Sequence, residues 1–233
     1  MLMLIFAHRG YSAVFPESTG LAYIQATRHG AGGIEADLQL SADNHWMVFH
    51  DRNLNRITGV DRLLSDLSLA ELKELDAGKW FSPEFAGEKI LTLDELLMIV
   101  SKYSPDITCN LEIKRGINIL PEFLDQLISL TLSYNVIYSS FDRNILTLIG
   151  RISPKSRLAI IIEDEVDKSG WEDLNIYSLH PYKSLVASEL VDYAHSRNIL
   201  VYPWTINTND EISLMKSLCL DGFFTDNIGK IKI

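Results

Sequence analysis

Cysteine is nearly absent from this 233-residue chain: its two thiols, Cys109 and Cys219, stand far apart and form no CxxC pair. That excludes a disulfide framework or zinc knuckle and points to a reducing compartment. Both thiols are read as small apolar core residues. Long apolar runs are also missing, none approaching the ~18 residues of a membrane span. The apolar start, Met1 to Ala7, lacks a basic n-region and a cleavage site, so it is read as a first buried strand rather than a signal peptide. A soluble, cytoplasmic protein, monomer or homodimer, with no stable membrane insertion, is expected. Basic residues are scarce: 21 Lys and Arg against 31 Asp and Glu leave a net charge of −10. Such a chain repels polyphosphate, so nucleic acid is not an expected partner. Any phosphate it handles must meet a local basic cluster or a metal ion. Repeats, low-complexity tracts and linkers are absent, and 47% apolar residues suffice for one large core. The chain is read as a single domain over 1–233.

What is present is a regular alternation of short apolar runs and helical patterns. Strands are expected at 3–8, 33–40, 45–50, 107–114, 135–140, 157–162, 175–180, 199–205 and 222–226, where β-branched and aromatic residues lie between Gly, Pro, Asn and Asp. Ser68-x-x-Glu71, Thr92-x-x-Glu95 and Thr208-x-x-Glu211 are capping boxes that open helices. Pro121 suits a first turn, Asp142 a cap, and Pro16-Glu17-Ser18 the opening of a helix over about 18–29. The stretch 184–196 is a further amphipathic helix. Between Asp37 and His50 there is no room for a crossover helix, so 37–50 is read as an antiparallel hairpin. A two-residue turn at Asp43-Asn44 would set Asp37 opposite His50. Removing 45–50 leaves eight strands, the count of a TIM (β/α)8 barrel, an α/β fold with a hairpin and a small helical insertion after the second strand, placed within 51–106.

In a barrel one strand face points inward. On 33–40 that face carries Glu35, Asp37 and Gln39; on 107–114 it carries Thr108, Asn110, Glu112 and Lys114. An internal salt-bridge network would be the purely structural reading. Three acids against one lysine, however, leave negative charge uncompensated where burial is costly. Glu35, Asp37 and Glu112 therefore read as ligands of a hard divalent cation, Mg²⁺ or Ca²⁺. Arg9, after the first strand, has the fork that recognises phosphate, and Gly10 lets the backbone turn beneath a ligand. His8 and His50 flank these groups, and two imidazoles can take a proton from an attacking oxygen and protonate a leaving alkoxide. His29, His195 and His45 fall on helices or a hairpin tip and are read as surface residues, while His180 ends a strand near the mouth.

The ordered motifs resemble the glycerophosphodiester phosphodiesterase family, particularly its short bacterial cytosolic members, over nearly the whole chain. His8-Arg9-Gly10 with Pro16-Glu17-Ser18-Thr19 is similar to HRG…PENT, Glu35-x-Asp37 to ExD, His50-Asp51 to HD, and Glu112-Ile113-Lys114 to EIK. Asp76-Ala77-Gly78-Lys79-Trp80-Phe81 resembles DAG-x-WF, Ser139-Ser140-Phe141 SSF, Trp204-Thr205-Ile206-Asn207 WTVN, and Thr225-Asp226 the closing TD. The resemblance implies a TIM barrel that hydrolyses glycerophosphodiesters to sn-glycerol 3-phosphate and an alcohol. His8 and His50 would be its acid–base pair, and Glu35, Asp37 and Glu112 its metal ligands. Arg9 and Lys114 would hold phosphate, and Phe141 and Trp204 would wall the glycerol. A phosphodiesterase for lysophospholipid-type head groups and a non-catalytic phosphodiester-binding barrel are the alternatives. Ser18 stands where the motif usually has Asn, a change expected to leave a helix cap in place. Asn227 stands where a Pro usually follows TD, which bears on the shape of that loop. Head-group choice is expected from loop residues around Lys79–Glu84 and His180–Lys183.

Overall fold

Short β-branched runs and capped helices assemble into a closed barrel. The computed structural model describes residues 3–115, 119–164, 166 and 174–231. Its strands are β1 (Leu4–Ala7), β2 (Gly33–Leu40), β3 (Trp46–Val48), β4 (Leu91–Thr92), β5 (Thr108–Ile113), β6 (Asn135–Ser140), β7 (Arg157–Ile162), β8 (Ile176–Pro181), β9 (Leu200–Val201) and β10 (Gly222–Thr225). The helices are α1 (Gly20–Arg28), α2 (Asn55–Thr58), α3 (Leu69–Glu74), α4 (Leu93–Tyr103), α5 (Pro121–Thr131), α6 (Arg143–Ile152), α7 (Ser188–His195) and α8 (Asn209–Ser217). The parallel order β10-β1-β2-β5-β6-β7-β8-β9 contains eight strands. The ring closes where Phe224 N–H donates to Pro203 O and Ile206 N–H to Phe224 O, at 2.9 and 2.8 Å. All nine expected strands appear, β9 much shortened. The two-residue β4, too short to stand out as a run, pairs with β3.

All three capping boxes form, with the Ser or Thr hydroxyl and the Glu carboxylate each meeting the other residue's backbone N–H. Each such cap contributes about 1 kcal/mol. Pro121 occupies the first turn of α5 and Asp142 caps α6. At α1 the cap is Thr19, whose hydroxyl accepts from Ala22 N–H, and not Ser18. Ser18 instead has φ +59°, a region that Asn tolerates better than most residues.

The alternation read from the sequence sorts the core into layers. Ile34, Ala36 and Leu38 of β2, with Cys109, Leu111 and Ile113 of β5, pack outward against the helices. The barrel interior holds Phe6, Ile137, Ala159, Tyr202 and Phe224, with Phe6 stacked on Phe224 at 4.7 Å and edge-on to Tyr202 at 5.3 Å. A third cluster, including Met47, Phe49, Leu54, Leu64, Leu72 and Ile90, is the separate small core of the excursion between β3 and β4. Helix α4 closes that excursion and packs beside α1 in the outer ring.

The hairpin differs from expectation by one residue. Its loop has three residues, Ala42-Asp43-Asn44, closed by Ser41 N–H on His45 O, with Asn44 at φ +63°. Leu40 therefore faces Trp46 and Leu38 faces Val48, and Phe49 N–H donates to Asp37 O at 2.9 Å. Asp37 stands opposite Phe49, and His50 lies one residue beyond. The extra loop residue is held by Asp43, whose carboxylate accepts from Ser41 Oγ and from Leu69 N–H at the start of α3.

Phe6 is wholly buried and touches rings from two other strands. Phe6→Ala is expected to lower stability by about 3–5 kcal/mol, read by urea denaturation; a loss under about 1 kcal/mol would contradict this packing.

Candidate active site

His8, Arg9, Glu35, His50, Glu112, Lys114, Phe141 and Trp204 line one cavity of about 580 Å³ at the C-terminal ends of the strands, the end where barrel active sites form. Asp37 is buried beside Glu35 and Glu112 without lining it. Strand register explains the convergence. In the parallel pair β2–β5, Glu35 is level with Asn110 and Asp37 with Glu112, so residues with inward parity on both strands share one face. Oxygens of Glu35, Asp37 and Glu112 lie within 4.8 Å of one another, all three residues buried.

Three carboxylates this close cannot all stay ionised unaided. Burial first, then Asp37 and Glu112, push Glu35 well above the usual carboxylate range. Burial pushes Glu112 up to about 7, with Lys114 pulling the other way. Burial also opposes ionisation of Asp37, but Lys114 and Arg9 outweigh it and hold that carboxyl well below its ordinary value. Lys114 Nζ lies 2.6 Å from both Asp37 Oδ1 and Glu112 Oε1, and Arg9 Nε lies 3.3 Å from Asp37 Oδ2. Glu35 Oε1 is buried with no hydrogen-bond partner, while Oε2 accepts from Arg9 N–H at 2.9 Å. Buried hard oxygens that gather a surplus of negative charge and leave one oxygen unsatisfied fit a divalent cation. The same two basic side chains, read from the sequence as phosphate ligands, rest on the acids here; both remain in the cavity wall.

Arg9 and Gly10 turn the chain out of β1 with φ of +56° and +82°. Only glycine fits the second position, since a Cβ there would come within 2.7 Å of the Ala22 backbone. This turn points the Arg9 N–H at Glu35 and leaves His8 at the strand end.

Each imidazole is oriented by a carboxylate. His8 Nδ1 bonds Asp226 Oδ1 at 2.7 Å and His50 Nδ1 bonds Asp51 Oδ1 at 2.7 Å. An ionised carboxylate only accepts, so Nδ1 carries the proton in both rings and Nε2 is left for chemistry. His8 Nε2 lies 4.0 Å from Glu35 Oε2. Burial, opposed by Asp37, holds His50 below the ordinary imidazole value, so it is neutral and basic at pH 7.

The orienting groups were visible in the sequence only as parts of motifs. Asp226 is held by Asn207, whose Nδ2 donates to Oδ2 at 2.7 Å and whose Oδ1 accepts from Asp226 N–H. Gln39, the third inward residue of β2, donates from Nε2 to the carbonyls of Phe49, His50 and Asp51, fixing the backbone beneath His50. Its inward parity with Glu35 and Asp37 was the available signal. Asn227 N–H donates to Thr225 Oγ1, a bond that proline could not make. Phe141 and Trp204 stand edge to face at 6.1 Å on the cavity wall, with Arg115 over Phe141 at 5.0 Å. Of the residues expected to read a head group, His180 reaches the wall, buried against Phe224 and Tyr202, whereas the Lys79–Glu84 loop is not part of the lining. His29, His45 and His195 are on the surface.

Fold and site together define a barrel enzyme in which two carboxylate-bonded histidines stand beside a cluster of acids that could hold a metal ion. The family model described as the glycerophosphoryl diester phosphodiesterase family matches residues 8–230, and the chain belongs to that family. It is 34% identical to a glycerophosphodiester phosphodiesterase of Caldanaerobacter subterraneus subsp. tengcongensis, covering 97% of this chain and 95% of the relative. A glycerophosphodiester phosphodiesterase of Bacillus altitudinis is 33% identical, over 95% and 94%. Among solved structures, an Oleispira antarctica phosphodiesterase in complex with the product sn-glycerol-3-phosphate superposes with a TM-score of 0.91 at 29% identity, covering 99% of this chain and 95% of that one.

Calorimetric titration with Mg²⁺ or Ca²⁺ is expected to show one site, weakened at least about tenfold by Glu35→Gln or Glu112→Gln. Binding unchanged in both variants would remove the triad as the metal site.

Proposed function

We propose that the protein hydrolyses glycerophosphodiesters to sn-glycerol 3-phosphate and an alcohol, with a divalent cation, Mg²⁺ or Ca²⁺, held by Glu35, Asp37 and Glu112. The observation that carries this reading is the pair of imidazoles, each with Nδ1 on a carboxylate, in one cavity with Glu35 and Glu112, which gather with the buried Asp37. The relatives named as glycerophosphodiester phosphodiesterases, and the neighbour's bound product, support the same substrate class. The whole chain acts as one catalytic domain; the small insertion expected over 51–106 is the excursion between β3 and β4, since α4 belongs to the barrel's outer ring. Free Cys109 and Cys219 suit the cytoplasm; among the described residues no helix is long and apolar enough to cross a membrane.

When bound, the cation supplies positive charge against the phosphate and offsets charge developing on phosphorus. Arg9 and Lys114 add two more positive charges, kept at neutral pH because the carboxylates around them, Asp37, Glu17 and Glu35 for Arg9 and Asp37 and Glu112 for Lys114, together outweigh the cost of burial. One imidazole Nε2 takes a proton from the attacking oxygen, of water or of the substrate's own glycerol hydroxyl, as the new P–O bond forms. The other ring enters the step as the imidazolium, with Nε2 protonated as well as Nδ1, and gives the Nε2 proton to the departing alkoxide as the old P–O bond breaks. The proton taken up by the first ring replaces it before the next turnover. Asp226 and Asp51 each hold an Nδ1–H, which leaves Nε2 of the neutral ring free to accept and stabilises the ring that carries both protons. Phe141 and Trp204 give an apolar wall to the glycerol carbons.

Release of glycerol 3-phosphate from glycerophosphoethanolamine, measured with a coupled dehydrogenase, tests the reaction directly. His8→Ala and His50→Ala are each expected to lower kcat about 10²-fold or more while metal binding persists. Near wild-type turnover in either would remove the paired-imidazole mechanism. EDTA is expected to abolish turnover and added Mg²⁺ or Ca²⁺ to restore it. A lysophospholipid in the same panel tests the alternative head group.

A further inference from the structure

One arginine outside the cavity wall touches both halves of the machinery. Arg56, on the short helix α2 of the excursion, donates from Nε and Nη2 to the two oxygens of Asp51, at 2.6 and 3.1 Å. From Nη1 and Nη2 it donates to the two oxygens of Glu17, at 2.9 and 2.7 Å. Asp51 holds His50, and Glu17 accepts from Arg9 Nη1 at 3.0 Å. A continuous chain of charge-assisted bonds thus runs His50–Asp51–Arg56–Glu17–Arg9. Arg56 and His50 hold the Asp51 carboxyl below its usual value against partial burial, so the acceptor for His50 stays ionised.

The conspicuous motif Asp76-Ala77-Gly78-Lys79-Trp80-Phe81 lies on the same path. Asp76 accepts from the N–H groups of Gly78, Lys79 and Gly87 at 2.8, 2.8 and 2.7 Å, which cross-braces the loop. Gly78 admits no side chain, because a Cβ would fall 1.9 Å from Phe85 O. The braced loop carries Trp80 to the guanidinium, 5.5 Å from ring centroid to Cζ, within cation–π range.

We propose that Arg56 is a positioning residue for this reaction: its guanidinium, steadied by Trp80, fixes Asp51 and hence His50 relative to the Arg9–Glu17 pair. Through Arg56 the excursion takes part in the catalytic apparatus beyond the residues it places in the cavity wall, His50, Asp51 and Arg52. A planar fork is needed because two carboxylates are each held by two N–H groups, which a lysine ammonium cannot do in that geometry.

The proposal rests on the phosphodiesterase reading, so the test has one arm with substrate and one without. On glycerophosphoethanolamine, Arg56→Ala is expected to lose roughly tenfold to a hundredfold in kcat, with KM and Mg²⁺ affinity little changed. Arg56→Lys is expected to stay low as well. Because the Arg56 side chain is 42% exposed, millimolar guanidinium is expected to return much of the lost rate to Arg56→Ala, which a loosened fold would not allow. Without substrate, long-range ¹H–¹⁵N spectra of the imidazoles are expected to show His50 as a single Nδ1–H tautomer in the wild type and averaged in Arg56→Ala. Wild-type kcat in Arg56→Ala, no return of rate with guanidinium, or an unchanged His50 spectrum would each overturn it. A wild type silent on the substrate would count against the reaction instead, and the spectra would still decide the role of Arg56.

Discussion

Three carboxylates buried within 4.8 Å of one another are the constraint around which the rest of this structure is arranged. Like charges in a low-dielectric interior repel strongly and lose their hydration. Every neighbouring feature answers that cost. Lys114 lies between Asp37 and Glu112, Arg9 turns its side chain toward Asp37 and its backbone N–H toward Glu35, and the strained turn at Arg9-Gly10 makes both contacts possible. Two cations against three acids still leave a deficit, and that deficit is what suits the cluster to a divalent cation. An apolar core would be cheaper for folding; a charged one at the rim is what phosphate chemistry uses.

The imidazoles show the same economy of parts. Each ring stands in the cavity wall and engages its Nδ1 with a carboxylate. Those carboxylates come from distant parts of the chain, Asp226 from the last barrel strand's exit and Asp51 from the hairpin's return. Each is pinned by a further group, Asn207 for one and Arg56 for the other. The two dyads are therefore built on different supports. His8 depends on the barrel alone, whereas His50 depends on the excursion, with its own small core around Met47, Leu54 and Leu72. That division explains why a barrel of this size carries a segment that lines little of the cavity.

Much of this was legible in the linear order of residues because periodicity carries direction. Glu35, Asp37, Glu112 and Lys114 were assigned inward by alternation alone, and the parallel register confirms the parity. Helix starts at Ser68, Thr92 and Thr208 were legible because a cap is a local hydrogen-bond pattern of four residues. The hairpin register was not, because the turn was decided at a distance: Asp43 bonds Leu69 of another element and so stabilises a three-residue loop. Ser18 misled for a related reason. It is a good capping residue by type, but the preceding turn places it at positive φ and hands the cap to Thr19.

The sequence by itself determined the barrel, the inward acids, the two histidines and the family, since each follows from strand parity, strand count or short ordered motifs. Only the tertiary structure decided which groups orient those histidines and where the basic side chains rest. Arg9 meets Glu17 and Asp37, Arg56 spans Asp51 and Glu17, and Asp226 returns to His8 across 218 positions of chain. The reason is physical: parity tells which way a side chain points. A hydrogen bond between distant residues depends on distances set by closing the ring and folding the excursion over it.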